Sequence, residues 1–125
     1  MPRSFERIAW MPSPPLVPDD ASIDMDHLRR MTMGDSAVER EVLAMFAAQA
    51  AELVERLAAA PADADRLAHT LKGSARAIGA FRVAEAAADL ELALRSEQPT
   101  AGPIRALRGA VAEARGVIDG LLKRS

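Results

Sequence analysis

The chain has 125 residues, of which 50% are hydrophobic and 27% charged, and its formal net charge is −2. This length fits one domain with a modest core, and the charge gives little support for nucleic-acid binding through phosphate neutralisation. The absence of cysteine excludes disulfides, thiolate metal sites and cysteine nucleophiles. Since neither a signal-peptide pattern nor an apolar run of the roughly 18 residues that span a bilayer is present, we expect a cytoplasmic protein with no membrane contact.

The first 21 residues differ in composition from the rest. They contain five prolines, each of which removes a backbone donor and pushes the preceding residue out of the helical region. We therefore expect a proline-rich N-terminal arm over residues 1–21 and one helical domain over residues 22–125. Phe5, Ile8 and Trp10 leave open whether the arm is free or docks onto the domain.

A short first helix is predicted over residues 24–33. Asp24 is its expected N-cap, Leu28 and Met31 are expected to face inward, and Gly34 ends it.

A longer second helix follows at once. Ser36 and Glu39 have the spacing of a capping box at its start. The apolar residues then recur at helical intervals, which predicts one buried stripe: Val38, Val42, Phe46, Ala50, Leu53 and Leu57.

Three further helices complete the pattern. The third begins near Pro61 and Asp63 and stops near Gly79, which accommodates a left-handed cap. The fourth covers residues 82–96, and the fifth starts at residues 100–103 and continues to the end of the chain. Their predicted inward residues are Leu67, Leu71, Ala75 and Ile78, then Val83, Ala87, Leu90 and Leu94, then Ile104, Leu107, Val111, Ala114, Ile118 and Leu121.

No segment alternates as a strand does, and alanine, leucine, glutamate and arginine dominate. The predicted fold is all-α, an antiparallel four-helix bundle with a short additional N-terminal helix.

The third helix carries the residues that are suited to chemistry. At 100° per residue, His69, Lys72, Gly73 and Arg76 fall roughly opposite the apolar stripe, so His69 is expected to face solvent. Gly73 is unusual there, because glycine inside a helix costs about 1 kcal/mol relative to alanine.

This segment, HTLKGSARAIG over residues 69–79, resembles the signature of histidine phosphotransfer (HPt) domains of bacterial multistep phosphorelays. That signature is a histidine, a small or apolar residue, Leu or Ile, Lys, Gly, small residues and a second Gly. The surrounding helical pattern extends the resemblance over roughly residues 22–122.

The resemblance implies a set of site residues. His69 is the implied phospho-acceptor, through Nε2, because a neutral imidazole near its reference pKa of about 6.5 has a lone pair free to attack. Lys72 is implied to stabilise the phosphoryl oxygens. Glu91, at an offset where the family often has Gln or Glu, is the candidate that orients His69. Asp65, one turn before His69, is an alternative orienter.

The resemblance also implies partners. Gly73, Ser74 and Arg76 belong to the expected partner-docking face, although Arg76 is also read as an ordinary solvated charge. The partners are receiver domains of hybrid histidine kinases and response regulators, which bring their own Mg²⁺. The protein itself is expected to need no cofactor or metal, to be monomeric, and to act as a relay intermediate rather than as an enzyme.

Other functions have less support. The alternative is a non-catalytic helical adaptor that binds receiver or kinase domains without accepting phosphate. A di-metal bundle would need repeated Glu-x-x-His pairs, and only Asp24 and His27 come near that spacing. His27 has no lysine-glycine pair after it, so we expect it to pack at the surface or at a helix end.

Overall fold

A computed structural model describes residues 22–124, and these form five helices and no strand. Helices α2 to α5 make a closed ring in which α2 contacts α3 and α5, α4 contacts α3 and α5, and α1 lies against α3. The predicted all-α bundle with a short extra helix is confirmed, whereas the predicted arm over residues 1–21 lies outside the described residues. The helices are α1 (Met25–Met31), α2 (Ser36–Ala58), α3 (Ala64–Ile78), α4 (Phe81–Arg95) and α5 (Ala101–Lys123).

The core combines large and small side chains from every helix. Burial of a leucine, isoleucine or valine contributes about 1.5–3 kcal/mol relative to exposure. Fully buried alanines between them let the helices approach closely, because a methyl group takes little space between two backbones. The largest fully buried side chains are Leu28, Leu57, Val83, Leu71, Leu90, Leu107 and Ile118, and the fully buried alanines include Ala50, Ala68, Ala75, Ala87 and Ala114.

The starts of α1 and α2 show one confirmed cap and one wrong prediction. Asp24 caps α1, because its Oδ1 accepts from the backbone N–H of His27 at 3.0 Å. Helix α2 is capped by Asp35 and not by Ser36, since Asp35 Oδ1 accepts from Val38 N–H at 3.1 Å. The predicted capping box is therefore wrong by one residue.

Two apolar residues expected in the core lie at the surface. Met31 is 44% exposed and Val38 is 40% exposed. Both are near the turn that joins α1 to α2, where α1 ends at Met31 rather than at the predicted residue 33. Periodicity assigns a residue to a face, but it does not show where the neighbouring helix stops covering that face.

The connection between α3 and α4 is the tightest in the bundle. Gly79 ends α3 in the left-handed region with φ of 87°, and Ala80 N–H donates to Ala75 O at 2.8 Å. The same turn holds the start of α1, because Asp24 N–H donates to Gly79 O at 2.8 Å. Only two residues separate α3 from α4, so the two helices lie side by side and antiparallel.

His27 packs at this turn, in keeping with its expected place at a helix end. Its Nε2 is 3.0 Å from Ala77 O, and its ring meets Phe81 edge to face with a centroid distance of 5.2 Å. The first helix is thus joined to the end of α3 through both backbone and side chain.

Replacing Gly79 with alanine should destabilise the fold. An alanine Cβ would lie 2.8 Å from the Asp24 carbonyl oxygen, and the left-handed backbone adds strain, so we expect a loss of about 1–3 kcal/mol. Urea unfolding followed by circular dichroism measures it. Gly34→Ala is the matched control, because Gly34 also has a positive φ but nothing within 4 Å of its Cβ position. Equal losses in the two variants would contradict the steric role of the Asp24 carbonyl.

Candidate functional site

His69 lies on the exposed side of α3 with one ring nitrogen bound. Its side chain is 65% exposed, and its Nδ1 is 3.0 Å from Glu91 Oε2 on α4. Since a carboxylate only accepts, a neutral imidazole in this position donates from Nδ1 and keeps its lone pair on Nε2. Nε2 has no protein partner among residues 22–124. The Nε2 side of the ring is therefore accessible from outside the bundle.

Glu91 is a buried carboxylate shared by three cationic or polar donors. Only 3% of the residue is exposed. Its Oε1 accepts from Lys72 Nζ at 2.7 Å, and its Oε2 accepts from Arg95 Nη2 at 2.7 Å as well as from His69. The hydrogen bond from Lys72, aided by His69 and Arg95, holds the pKa of Glu91 below its ordinary value despite the opposing effect of burial. The group is a carboxylate at neutral pH.

The geometry of the α3–α4 hairpin explains why His69 meets Glu91. His69 lies nine residues before the last residue of α3, and Glu91 lies ten residues after the first residue of α4. With a rise of about 1.5 Å per residue, these nearly equal distances from a tight turn bring the two positions to about the same height. Lys72 lies nearly one turn after His69, and Arg95 one turn after Glu91, so both pairs share one side of the hairpin.

Gly73 leaves open space beside His69. A Cβ at this position would meet nothing within 4 Å, so close packing against another helix does not explain the glycine. His69, Gly73 and Ala77 are all exposed, and their four-residue spacing places them along one ridge of α3. We call this line of three residues the His69 ridge.

The other predicted site residues occupy different places. Arg76 is exposed near the His69 ridge, and Ser74 is half-buried on the side toward α2. Lys72 is on the exposed half of α3 but is largely covered, with 18% of its side chain accessible, because it is bound to Glu91. Asp65 does not reach His69; its Oδ1 accepts from Arg66 N–H at 2.9 Å.

Arg95 is a member of the cluster that sequence reasoning missed. Its side chain is 65% exposed, so it resembles an ordinary surface arginine except for the 2.7 Å contact with Glu91 Oε2. The available signal was its position four residues after Glu91, the spacing at which opposite charges pair on a helix. That signal is common on helical surfaces and does not by itself identify a site.

An apolar groove borders the His69 ridge. It has a volume of about 310 Å³, and we call it the α2–α3 groove. Its lining residues are Val42, Met45, Phe46 and Gln49 of α2 with Ser74, Ala77 and Ile78 of α3. Ala77 belongs to both the groove and the ridge.

The described part of the chain offers neither a metal site nor a membrane-spanning helix. Residues 22–124 contain no group of three or more His, Cys, Asp or Glu side chains placed to hold a metal ion. None of the helices in the same range has both the length and the apolar character needed to cross a membrane.

Comparison with known proteins identifies a family. A family model, described as the Hpt domain, matches residues 41–117, which is more than half of the chain and includes all of α3 and α4. No curated protein and no solved structure shows significant similarity to the chain.

Because Glu91 stabilises the fold while it is charged, the free energy of unfolding should fall at pH values below the ordinary pKa of glutamate. Because folding lowers its pKa from 4.5, its stabilisation is fully present above that pH and is lost as pH falls through the lowered value in the folded state. Glu91→Gln should be less stable at pH 7 by about 1–3 kcal/mol, since Lys72 and Arg95 lose a charged acceptor, and should lose less stability on acidification.

Urea unfolding at several pH values from neutral to acidic tests this expectation. Glu85→Gln is the control, because Glu85 is an exposed glutamate on the same helix. Parallel pH profiles for the wild-type protein and Glu91→Gln would contradict the lowered pKa.

Proposed function

The chain belongs to the Hpt domain family, whose members are histidine phosphotransfer intermediates of phosphorelays, and on this premise we propose that His69 carries a phosphoryl group between aspartates of receiver domains. The observation that carries the proposal is the exposure of His69 together with its Nδ1 contact to Glu91. This arrangement leaves the lone pair of Nε2 directed at an approaching partner. Receiver domains are the proposed donors and acceptors because the chain supplies a nucleophile without a phosphate source of its own.

The transfer step follows from the tautomer. The Nε2 lone pair attacks the phosphorus of a receiver's aspartyl phosphate; the N–P bond forms as the P–O bond to aspartate breaks, and that electron pair remains on the aspartate carboxylate. The Nδ1 proton stays in place, so the phosphorylated ring is positively charged and is stabilised by the Glu91 carboxylate. In the next transfer a carboxylate oxygen of the second receiver's aspartate attacks the phosphorus, the new P–O bond forms as the N–P bond breaks, and the N–P electron pair returns to Nε2, which leaves the ring neutral.

Lys72 and Arg95 have complementary roles in this proposal. Lys72 follows His69 by nearly one turn, so its ammonium is near the phosphoryl oxygens as negative charge arrives. When Lys72 turns from Glu91 toward the phosphoryl group, Arg95 still pairs with Glu91 Oε2. Arg95 acts as a positioning residue, since it keeps the buried carboxylate paired and beside His69 Nδ1.

The receiver supplies the remaining chemistry. Its Mg²⁺ and charged groups stabilise the loose transition state of phosphoryl transfer, while this chain provides the nucleophile. We assign to the protein the role of an intermediate rather than an enzyme, with no cofactor or metal of its own. The open space at Gly73 lets the receiver's active site approach His69, and Arg76 and Ser74 flank that approach.

His69→Gln should abolish phosphorylation without unfolding the bundle, because residue 69 is exposed and glutamine favours a helix. The measurement uses an autophosphorylated hybrid kinase with its receiver and Mg²⁺ as donor. We expect an acid-labile, alkali-stable label on the wild-type protein and none on the variant.

His27→Gln is the control, because His27 is the other histidine of the chain and should leave the label in place. A label that survives in His69→Gln would exclude His69 as the acceptor. Receiver binding with no label on the wild-type protein, across a panel of active donors, would instead support the adaptor function.

Substitutions at Gly73 should have different effects on the free energy of unfolding and on the rate of phosphoryl transfer to His69. Gly73→Ala should stabilise the fold by about 1 kcal/mol, because the new methyl group meets nothing and alanine favours a helix. Gly73→Gln should also fold, but its longer side chain should slow labelling of His69 by about tenfold or more, the equivalent of 1.4 kcal/mol.

Gly109→Gln on α5 is the matched control, since that glycine is also helical with nothing within 4 Å of its Cβ position. Unfolding curves and labelling rates are measured on the same preparations. Equal labelling rates for the two glutamine variants would remove Gly73 from the docking face.

A further inference from the structure

Helix α4 presents an exposed apolar side chain beside the His69 site. Leu92 is 65% exposed and directly follows Glu91 in the sequence. Arg95 lies four residues after Glu91 and three after Leu92, so at 100° per residue it stands between them around the helix. Leu92 is therefore on the outward edge of the seam in which Glu91 meets α3.

Leu92 lies at about the same height in the bundle as His69. The contact of 3.0 Å between Glu91 Oε2 and His69 Nδ1 sets the register of α3 against α4. Leu92 is one residue further along α4, which shifts it by only about 1.5 Å along the helix axis. Since the axes of packed helices are about 8–10 Å apart, Leu92 lies about 10 Å from His69 across the seam.

A protein that reaches His69 with a specific interface also covers Leu92. Such an interface buries about 800 Å² on each partner, and a disc of that area has a radius of about 16 Å. A disc of this size centred on the exposed side of His69 includes Leu92. The α2–α3 groove borders the other side of the His69 ridge, so Leu92 supplies the apolar contact on the α4 side.

The position of Leu92 gives its exposure a meaning. Isolated apolar residues are common on protein surfaces and need no partner. Leu92 differs because it lies inside the area that any partner of His69 covers. Covering it removes apolar surface from water, which favours binding. A charged group opposite Leu92 would lose water and gain no hydrogen bond from the leucine, so it would be disfavoured.

We propose that Leu92 binds the receiver through an apolar side chain that the receiver presents about 10 Å from its phosphoryl group. This inference rests on the proposed function, because it takes the receiver as the protein that covers His69. Leu92 contributes to the affinity for the receiver and takes no part in the transfer step. It also favours receivers with an apolar rather than a charged side chain at that place.

The dependence of the labelling rate on receiver concentration tests this role. The donor is the phosphorylated receiver, with Mg²⁺, of a hybrid kinase that labels the wild-type protein. Leu92→Ala should raise the receiver concentration that gives the half-maximal rate by about tenfold, because less apolar surface is buried in the complex, and should leave the rate at saturation unchanged. Leu92→Met keeps the volume and the apolar character, so it should retain most of the affinity.

Val117→Ala is the matched control, because Val117 is also an exposed apolar residue, at 41%. Its neighbour Glu113 on α5 pairs with Arg82, ten residues before Leu92 on α4. Val117 lies four residues beyond Glu113, so it is about 20 Å from Leu92 along the bundle, and its variant should change neither value. An unchanged half-maximal concentration in Leu92→Ala, equal increases in both alanine variants, or a lowered rate at saturation in Leu92→Ala would each overturn the inference.

Receiver binding without transfer separates this inference from the proposed function. His69→Gln has no nucleophile at residue 69, so calorimetry of this variant with the unphosphorylated receiver measures affinity alone. Adding Leu92→Ala to His69→Gln should raise the Kd about tenfold, and an unchanged Kd would overturn the inference. A wild-type protein that no active donor labels would count against the proposed function, while calorimetry with a receiver that binds still decides the role of Leu92.

Discussion

The buried Glu91 carboxylate is the interaction on which the arrangement of the site depends. A charge with 3% exposure is tolerated only when it is paired and hydrogen-bonded, and here its two oxygens accept from Lys72, Arg95 and His69. Two of these donors lie on α3 and one on α4, so the carboxylate fixes the rotation of one helix against the other. The orientation of the His69 ring follows from the same contact.

The Gly79 turn is what makes this pairing possible. A two-residue connection sets the register of α3 against α4, and a longer loop would let Glu91 slide along α3 away from His69. The turn is itself held by the Asp24 backbone, so α1 supports the register although it contributes no side chain to the cluster. Helix α1, which lies outside the four-helix ring, thus helps to set the geometry of the site by holding the turn between α3 and α4.

The parts of this structure that depend on local sequence pattern can be predicted from the sequence. The five helices, the Gly79 cap and the outward position of His69 all follow from periodicity, capping preference and glycine placement. Glu91 was a candidate because of a resemblance, and its distance from His69 depends on helix register, which periodicity does not fix. The sequence does not predict that Arg95 and Lys72 bind one carboxylate, because it does not show which of many surface charges share a buried partner. Both Asp35 and Ser36 have capping side chains, so capping preference alone does not separate them, and the predicted cap of α2 is one residue too late.

The sharing of one carboxylate by several donors has an energetic consequence for a relay. An intermediate that must both receive and surrender a phosphoryl group works best when its two states have similar free energies. If His69 is the acceptor, the arriving negative charge draws Lys72 from Glu91 while Arg95 and the newly positive imidazole remain beside the carboxylate. Glu91 then has two cationic partners in both states, Lys72 and Arg95 before transfer and Arg95 and the imidazolium after it. Because the buried carboxylate is then paired in both states, neither state bears the free-energy cost of an uncompensated buried charge.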